Sequence, residues 1–120
     1  MTEETAIEKG EPTHTAETAQ SVEDKIVRYL LNSAHPVGGA KASWFKEALG
    51  FDAGNAAPLA VQIVFDRATA TQTGQTAHGA KYNQVINIVG VNGKTIGVTF
   101  VWIHNNDGFV RLVTGIPAKR

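Results

Sequence analysis

The sequence contains no cysteine, which excludes disulfide bonds and any metal site built on thiolates. It also has no apolar run near the roughly 20 residues that a membrane-spanning helix needs. The N-terminus is rich in glutamate and threonine and lacks the apolar segment of a secretory signal. These absences predict a cytoplasmic protein without membrane contact, although a domain exported as the end of a larger protein also fits. The 120 residues suffice for one domain with a single core.

Familiar catalytic and metal-binding signatures are missing as well. The four histidines (His14, His35, His78 and His104) are scattered and form no His-x₃-His or His-x-carboxylate group. No serine stands in a nucleophile elbow, and an order of helices before strands excludes a dinucleotide-binding fold. We therefore expect neither a metal ion nor a cofactor.

Charge is distributed unevenly behind a formal net charge of zero. Residues 1 to 24 hold seven acidic residues against one lysine, a net charge of −6. The remaining residues hold ten basic against four acidic residues, a net charge of +6. A basic domain favours an anionic partner such as RNA, whereas an excess of this size is equally common on a solvated surface.

The N-terminal part is predicted to be a disordered acidic tail followed by helices. Residues 1 to 20 mix Glu, Thr, Ala and Pro without a period, so we expect a tail whose removal leaves the fold of residues 21 to 120 intact. A capping box at Ser21 predicts a first helix that ends near Asn32. Two more helices are predicted, from Ala40 to Leu49 with Gly50 in the left-handed conformation, and from about Asn55 to Ala70.

The C-terminal half is predicted to form an antiparallel β-meander behind a mobile surface loop, residues 69 to 79. Three segments are rich in β-branched and aromatic residues: 82 to 91, 94 to 104 and 109 to 116. They are separated by Asn92-Gly93, a strong hairpin signal, and by residues 105 to 108. The sequence thus predicts an α+β domain with helices packed on a three- or four-stranded sheet.

Turn length decides which strand residues share a face. A two-residue loop at Asn92-Gly93 would place Val91 opposite Lys94, and a four-residue loop after His104 would place it opposite Phe109. The face predicted to pack on the helices then carries Val85, Val89, Ile96, Val98, Phe100, Trp102, Phe109 and Val113. The opposite, half-polar face carries Tyr82, Gln84, Ile86, Thr99, Val101, Ile103, Leu112 and Thr114. A Thr99–Thr114 pair near its middle makes this open face a candidate binding surface.

Two short segments hold residues that could carry chemistry. His78, Lys81 and Tyr82 lie at a loop-to-strand junction and could supply an acid or base, a positive charge and a hydroxyl or stacking ring. An exposed loop histidine and an edge lysine explain the same spacing.

The second segment, residues 35 to 41, is a turn before a helix that could present backbone amides and Lys41 to an anion. A plain helix connection capped by His35 fits it equally well. In the last strand, Arg111 and Thr114 are either phosphate contacts or ordinary cross-strand neighbours.

A set of short motifs extends over nearly the whole folded part: residues 29–32, 35–38, 41–45, 49–51, 78–82, 101–103 and 111–114, with Pro117. This pattern resembles a family of uncharacterised bacterial domains that occur alone or at the ends of polymorphic toxins. Their layout is similar to that of the metal-independent ribonucleases that include barnase, EndoU and RelE-like toxins.

The resemblance implies cleavage of RNA without a metal ion, on the exposed sheet face, with an antitoxin or immunity protein as partner. It implies catalytic roles for His78, Lys81, Tyr82, Arg111 and Thr114, and substrate contacts for His35, Lys41 and Thr99. One departure is that no second histidine pairs with His78, because His104 is predicted to face the helices. The alternative is a non-catalytic module that binds a protein through the half-polar face and the edge strand.

Overall fold

The structure is a computed structural model that describes residues 11–117. In this range, α1 (Ala16–Lys25) continues into a π-helical turn (Ile26–Leu30), and α2 (Gly39–Leu49) is followed by a 3₁₀ turn (Ala53–Asn55) and α3 (Ala57–Ala60). The strands are β1 (Thr71–Thr76), β2 (Gly79–Val89), β3 (Thr95–Asn105) and β4 (Val110–Ile116). They form one antiparallel sheet in the order β1-β2-β3-β4, which confirms the predicted α+β class with helices before a meander. Within residues 11–117, no helix is long and apolar enough to cross a membrane.

Helix α1 begins five residues before the predicted start at Ser21. The Thr15 side chain caps it by accepting a hydrogen bond from the Thr18 backbone N–H at 3.3 Å, and Thr18 is fully buried. Ser21 has a tertiary role instead, because its Oγ accepts a hydrogen bond from the Leu112 backbone N–H at 3.1 Å. The predicted disordered tail therefore overlaps the folded part at residues 11 to 20, and residues 1 to 10 lie outside the described part of the chain.

The second predicted helix is confirmed and the third is much shorter than predicted. Helix α2 ends at Leu49, and Gly50 takes the expected left-handed conformation with φ of 82°. Helix α3 stops after Ala60, and the Gln62 side chain then connects the chain to β2. Its Oε1 accepts from the Val89 N–H at 2.8 Å and its Nε2 donates to the Val89 carbonyl at 2.9 Å.

The segment predicted to be a mobile loop contains β1, an antiparallel neighbour of β2. All six of its residues are exposed and none is apolar, so it lacks the alternation of apolar and polar residues by which a strand is recognised. A two-residue turn, Ala77-His78, connects it to β2 at Gly79.

The β2–β3 and β3–β4 turns are each one residue longer than predicted. As a result, some side chains lie on the face of the sheet opposite to the predicted one. Val89 pairs with Thr95, and His104 pairs with Val110. Each loop contains a glycine in the left-handed region, Gly93 (φ 89°) or Gly108 (φ 93°). Because side chains alternate along a strand, a shift of one residue moves a whole strand to the other face.

The face assignment of β3 is confirmed, and those of β2 and much of β4 are wrong. The buried side of the sheet carries Tyr82, Gln84, Ile88, Val98, Phe100, Trp102, Val110 and Leu112. Side chains that we expected in the core are exposed instead: Val85 (61%), Val89 (55%) and Phe109 (40%). A bulge between Val101 and Trp102 in the pairing with β4 also shifts the predicted Thr99–Thr114 pair, so that Thr99 faces Ile116 and Thr114 faces Val101.

The core lies between this buried sheet side and the helical half of the chain. Trp102 is fully buried and meets Phe65 edge-on, with ring centroids 5.4 Å apart. The helical half supplies apolar side chains that include Ile26, Leu30, Phe45, Leu49 and Phe51. Helix α1 runs along β4, so the Ser21 hydrogen bond covers that edge of the sheet.

Candidate functional site

Residues from both halves of the chain meet where the π-helical turn, the start of α2 and the end of β4 come together. Lys41 Nζ donates a hydrogen bond of 2.7 Å to Thr114 Oγ1. The same nitrogen lies 5.1 Å from the ring centroid of Tyr29, in the π-helical turn. The His35 ring stands edge-on to the Tyr29 ring, with centroids 5.0 Å apart. We call these four residues, Tyr29, His35, Lys41 and Thr114, the Tyr29 cluster.

The turn before α2 has a geometry that its sequence explains. His35 Nδ1 accepts backbone hydrogen bonds from Val37 at 3.0 Å and Gly38 at 2.9 Å, so this side chain caps the turn. Gly38 packs against Tyr29 in the π-helical turn, and a Cβ at this position would lie 2.5 Å from the Tyr29 carbonyl oxygen. A glycine here thus lets the turn approach Tyr29 closely and brings Lys41, in the first turn of α2, to β4.

The electrostatics of the cluster favour the ionised form of the Tyr29 phenol. The nearby Lys41 side chain lowers the pKa of Tyr29 below its usual value, helped by Thr114 and by the charges of Lys41 and Lys25, while burial acts in the opposite direction. Lys25 Nζ lies 6.0 Å from the ring centroid. Among residues 11–117, no acidic side chain forms an ion pair with Lys25 or Lys41. The cluster is therefore a cationic site that contains an acidified phenol.

Arg111, predicted to contact phosphate, is neutralised by acidic neighbours at the other end of β4. Its Nη2 lies 3.0 Å from Asp107 Oδ2 and 3.1 Å from Glu17 Oε2, and its Nη1 donates to Asn105 Oδ1 at 2.7 Å. The hydrogen bond with Asp107 raises the pKa of Arg111 and lowers that of Asp107. An anion would have to displace one of these carboxylates to reach the guanidinium group.

His78 lies in the exposed turn between β1 and β2, next to this Arg111 network. Its backbone N–H donates to Thr76 Oγ1 at 3.1 Å, and its carbonyl accepts from Asn105 Nδ2 at 3.0 Å. These bonds fix the backbone of the turn. In the part of the chain that the structure covers, no hydrogen bond joins the His78 side chain to Lys81.

The remaining predicted residues are divided between the two faces of the sheet. Lys81 lies on the open face opposite Ile103, and Thr99 lies there between Val85 and Ile116. Tyr82 does not point to the open face as expected. It is only 5% exposed and packs edge-on against Phe65, because the β2–β3 turn is one residue longer than predicted and this reverses the faces of β2.

Tyr29 and Lys25 belong to the site but were not expected there. The helical pattern of the first helix assigns Tyr29 to its apolar, core-facing side, whereas the structure leaves its ring half-buried beside two lysines. The sequence does contain one indication of this contact: Lys25 and Tyr29 are four residues apart, so in a helix they lie next to each other on one face.

The described residues contain no group of three or more histidine, aspartate or glutamate side chains that could hold a metal ion. The polar groups of the Tyr29 cluster, a phenol, an imidazole, an ammonium and a hydroxyl, instead suit hydrogen bonding and proton transfer.

The fold and this site define a small α+β domain with a cationic cluster of polar side chains between helix and sheet. Residues 13–119 match the family described as "Domain of unknown function (DUF6883)", and the chain belongs to that family. No curated protein and no solved structure matches the chain.

Proposed function

We propose that this domain cleaves RNA without a metal ion, by attack of a 2′-hydroxyl on the neighbouring phosphate, and that the Tyr29 cluster is its active site. The observation that carries the proposal is the 2.7 Å hydrogen bond between Lys41 and Thr114 beside a phenol of lowered pKa. A positive charge, a hydroxyl and a proton-transfer group thereby converge on one accessible place.

Each step of such a cleavage has a candidate group. The ionised Tyr29 oxygen accepts the proton of the 2′-hydroxyl, whose oxygen then bonds to phosphorus. The Lys41 ammonium stabilises the additional negative charge on the phosphate oxygens, and Thr114 holds that ammonium in place. His35 accepts two backbone hydrogen bonds at Nδ1, so its ring N–H is Nε2–H, which can donate a hydrogen bond to a phosphate oxygen, and the leaving 5′-oxygen takes its proton from water. The products are a 2′,3′-cyclic phosphate and a 5′-hydroxyl.

Two further features support an RNA substrate. The net charge of +6 on residues 25 to 120 favours a polyanion. The resemblance to metal-independent ribonucleases of polymorphic toxins agrees with a site composed of Lys, His, Tyr and Thr. It also implies a cytoplasmic target and an antitoxin or immunity protein as the natural inhibitor.

A non-catalytic protein-binding module is the second candidate, and exposed apolar side chains favour it. Val27 (65%), Val61 (73%) and Val64 (45%) border a groove between α1 and the segment after α3. Exposed apolar surface marks protein contacts, whereas binding to RNA depends mainly on basic side chains that contact phosphate. This candidate requires no cleavage by the Tyr29 cluster.

Incubation of the purified chain with total RNA in the presence of a chelator tests the proposal. We expect cleavage products ending in a cyclic phosphate, and a loss of about 10²- to 10³-fold in rate for Lys41→Ala. Lys46→Ala is the matched control, because Lys46 lies on the same helix and is exposed, with only a 3.9 Å ion pair to Asp52. Intact RNA with and without chelator, under conditions where the protein is folded, would leave the binding module as the better hypothesis.

A further inference from the structure

The two edges of the sheet differ in how far other elements cover them. On the β4 side, helix α1 lies along the strand, and Ser21 Oγ accepts the hydrogen bond of an outward-facing backbone N–H, that of Leu112. On the β1 side, β2 is the only element of residues 11–117 in extensive contact with the strand. The outer backbone groups of β1 are thus open to pairing.

Proteins usually protect such an edge with charged side chains, proline, a bulge or a covering element. β1 has the sequence Thr-Gln-Thr-Gly-Gln-Thr, with neither a charge nor a proline. Its one irregularity is a bulge at Thr73, between Gln72 and Gly74. A second β1 strand would therefore meet no like charges at this edge.

The bulge makes β1 self-complementary. The sequence is nearly the same in both directions, so an antiparallel copy centred between Thr73 and Gly74 would pair Thr71 with Thr76 and Gln72 with Gln75. Residues that face each other in a sheet must project from the same side, and residues five apart in a regular strand do not. Because Thr73 is bulged, Thr71 and Thr76 share the side of Asn83 and Lys81, whereas Gln72 and Gln75 share the side of Tyr82 and Ala80.

The centre of such a pairing is also free of obstruction. Gly74 has no side chain, and a Cβ built there would meet nothing within 4 Å, so no described side chain crowds the sheet surface at the centre of the pairing. The nearest basic side chain on the adjacent strand is Lys81, and in a paired assembly the two Lys81 strands would be about 14 Å apart, three strand spacings. This exceeds the Debye length at physiological salt, so their repulsion is weak.

We propose that two copies of this chain associate through β1, antiparallel and about a two-fold axis, to form one continuous eight-stranded sheet. Gln–Gln and Thr–Thr pairs across the axis add side-chain hydrogen bonds to those of the backbone. The strand is short, so we expect a weak dimer with a Kd on the order of 10⁻⁴ M. The inference is independent of the proposed RNA cleavage, because β1 contributes no residue to the Tyr29 cluster.

Sedimentation equilibrium of the full chain over a concentration range around that Kd tests the inference. The wild type should pass from monomer to dimer, and Gln72→Lys/Gln75→Lys should stay monomeric, because it opposes lysine to lysine at both Gln pairs. Ser43→Lys/Thr95→Lys is the charge-matched control, since both residues are exposed and lie outside β1, and it should dimerise as the wild type does. A wild type that stays monomeric at about tenfold the expected Kd, or a lysine variant that dimerises normally, would overturn the proposal.

Two further measurements distinguish a loss of dimerisation from a folding defect of the lysine variant. Gln72→Glu/Gln75→Glu should also be monomeric alone, and its mixture with the lysine variant should form heterodimers with a Kd at least about tenfold lower than either variant alone. In the wild type, hydrogen exchange at residues 71–76 should slow as protein concentration rises. Exchange at these amides that does not depend on concentration contradicts pairing through β1.

Discussion

Lys41 and Thr114 are 73 residues apart in the chain, yet Nζ of the lysine and Oγ1 of the threonine are 2.7 Å apart. This hydrogen bond joins α2 to β4 and places one basic residue of the helical half against the last strand. Tyr29, which was not predicted, contacts both Lys41 and His35, so three predicted site residues, His35, Lys41 and Thr114, meet around one ring. We therefore expect the chemistry of the domain at this junction.

The location of the activity can be tested by comparing two histidines. His78 lies in an exposed turn, whereas His35 contacts Tyr29. We expect His35→Ala to lower the rate of RNA cleavage about 10²-fold or more, and His78→Ala to change it little. The opposite result would place the active site at the β1–β2 turn, with Lys81, as the sequence suggests.

The role of Tyr29 predicts a specific pH dependence. If its phenolate accepts the proton, the rate of cleavage should rise with pH and level off near the lowered pKa of Tyr29. Tyr29→Phe should lose about 10²- to 10⁴-fold in rate and the rising limb of the profile. Tyr82→Phe, at a buried position, should keep both. A Tyr29→Phe variant with an unchanged profile would assign proton transfer to another group.

The sequence predicts the fold class, α2 and the burial of Trp102 because these follow from local periodicity and turn residues. The prediction of which β2 side chains face the core is wrong, because it depends on the length of the β2–β3 turn and that turn has one residue more than predicted. Asn92 donates a hydrogen bond to the Ala48 carbonyl at 3.0 Å, and a Cβ on Gly90 would lie 2.5 Å from the Leu49 carbonyl oxygen. The end of α2 therefore selects this turn, and a contact so distant in the chain has no local signature.

The site residues were predicted individually, but their grouping was not. Lys41, His35 and Thr114 were singled out by residue type and position, whereas their contact depends on how α2 docks beside β4. β1 was missed for a different reason, since a strand without buried side chains has no pattern to detect.

Removal of the N-terminal segment should destabilise the domain, contrary to the expectation from composition. Deleting residues 1 to 20 removes buried Thr18, the first turn of α1 and the ion pair of Glu17 with Arg111. We expect a marked decrease in thermal midpoint relative to deletion of residues 1 to 10, which retains all three. Equal midpoints for the two truncations would show that residues 11 to 20 contribute nothing to stability.

Two glycines of the first hairpin should respond oppositely to alanine. Gly79 has φ of 142°, and a Cβ there would clash with the His104 carbonyl oxygen, so Gly79→Ala should cost more than about 1 kcal/mol. Gly74 has a negative φ and open space at its Cβ position, so Gly74→Ala should be neutral or stabilise the domain by up to about 1 kcal/mol. Denaturant unfolding of both variants measures the difference. Similar losses in both would mean that the hairpin geometry differs from the one described.

His14 should make the stability of the domain sensitive to mild acid. Its Nδ1 accepts a hydrogen bond from the Phe65 backbone N–H at 3.0 Å, and its ring lies 6.3 Å from that of Trp102. Partial burial lowers the pKa of His14 below its ordinary value of 6.5, because the charged ring is less well solvated in the folded state.

A depressed pKa in the folded state fixes the direction of the effect. Above pH 6.5 the ring is neutral in both states, and the stabilisation is complete. As the pH falls below 6.5, the unfolded chain binds a proton that the folded chain resists, so the free energy of unfolding decreases until the folded-state pKa is passed. Protonation at Nδ1 also removes the acceptor for the Phe65 N–H.

Urea unfolding of the wild type and of His14→Gln, at about pH 7.5 and about pH 5, measures this contribution. We expect the wild type to lose more stability on acidification than His14→Gln, which has no titrating ring at this position. His78→Gln removes an exposed histidine from the β1–β2 turn and serves as the matched control, with the pH dependence of the wild type. If the wild type and His14→Gln respond equally to pH, His14 is not the origin of the sensitivity, and the hydrogen bond to Phe65 tolerates acid.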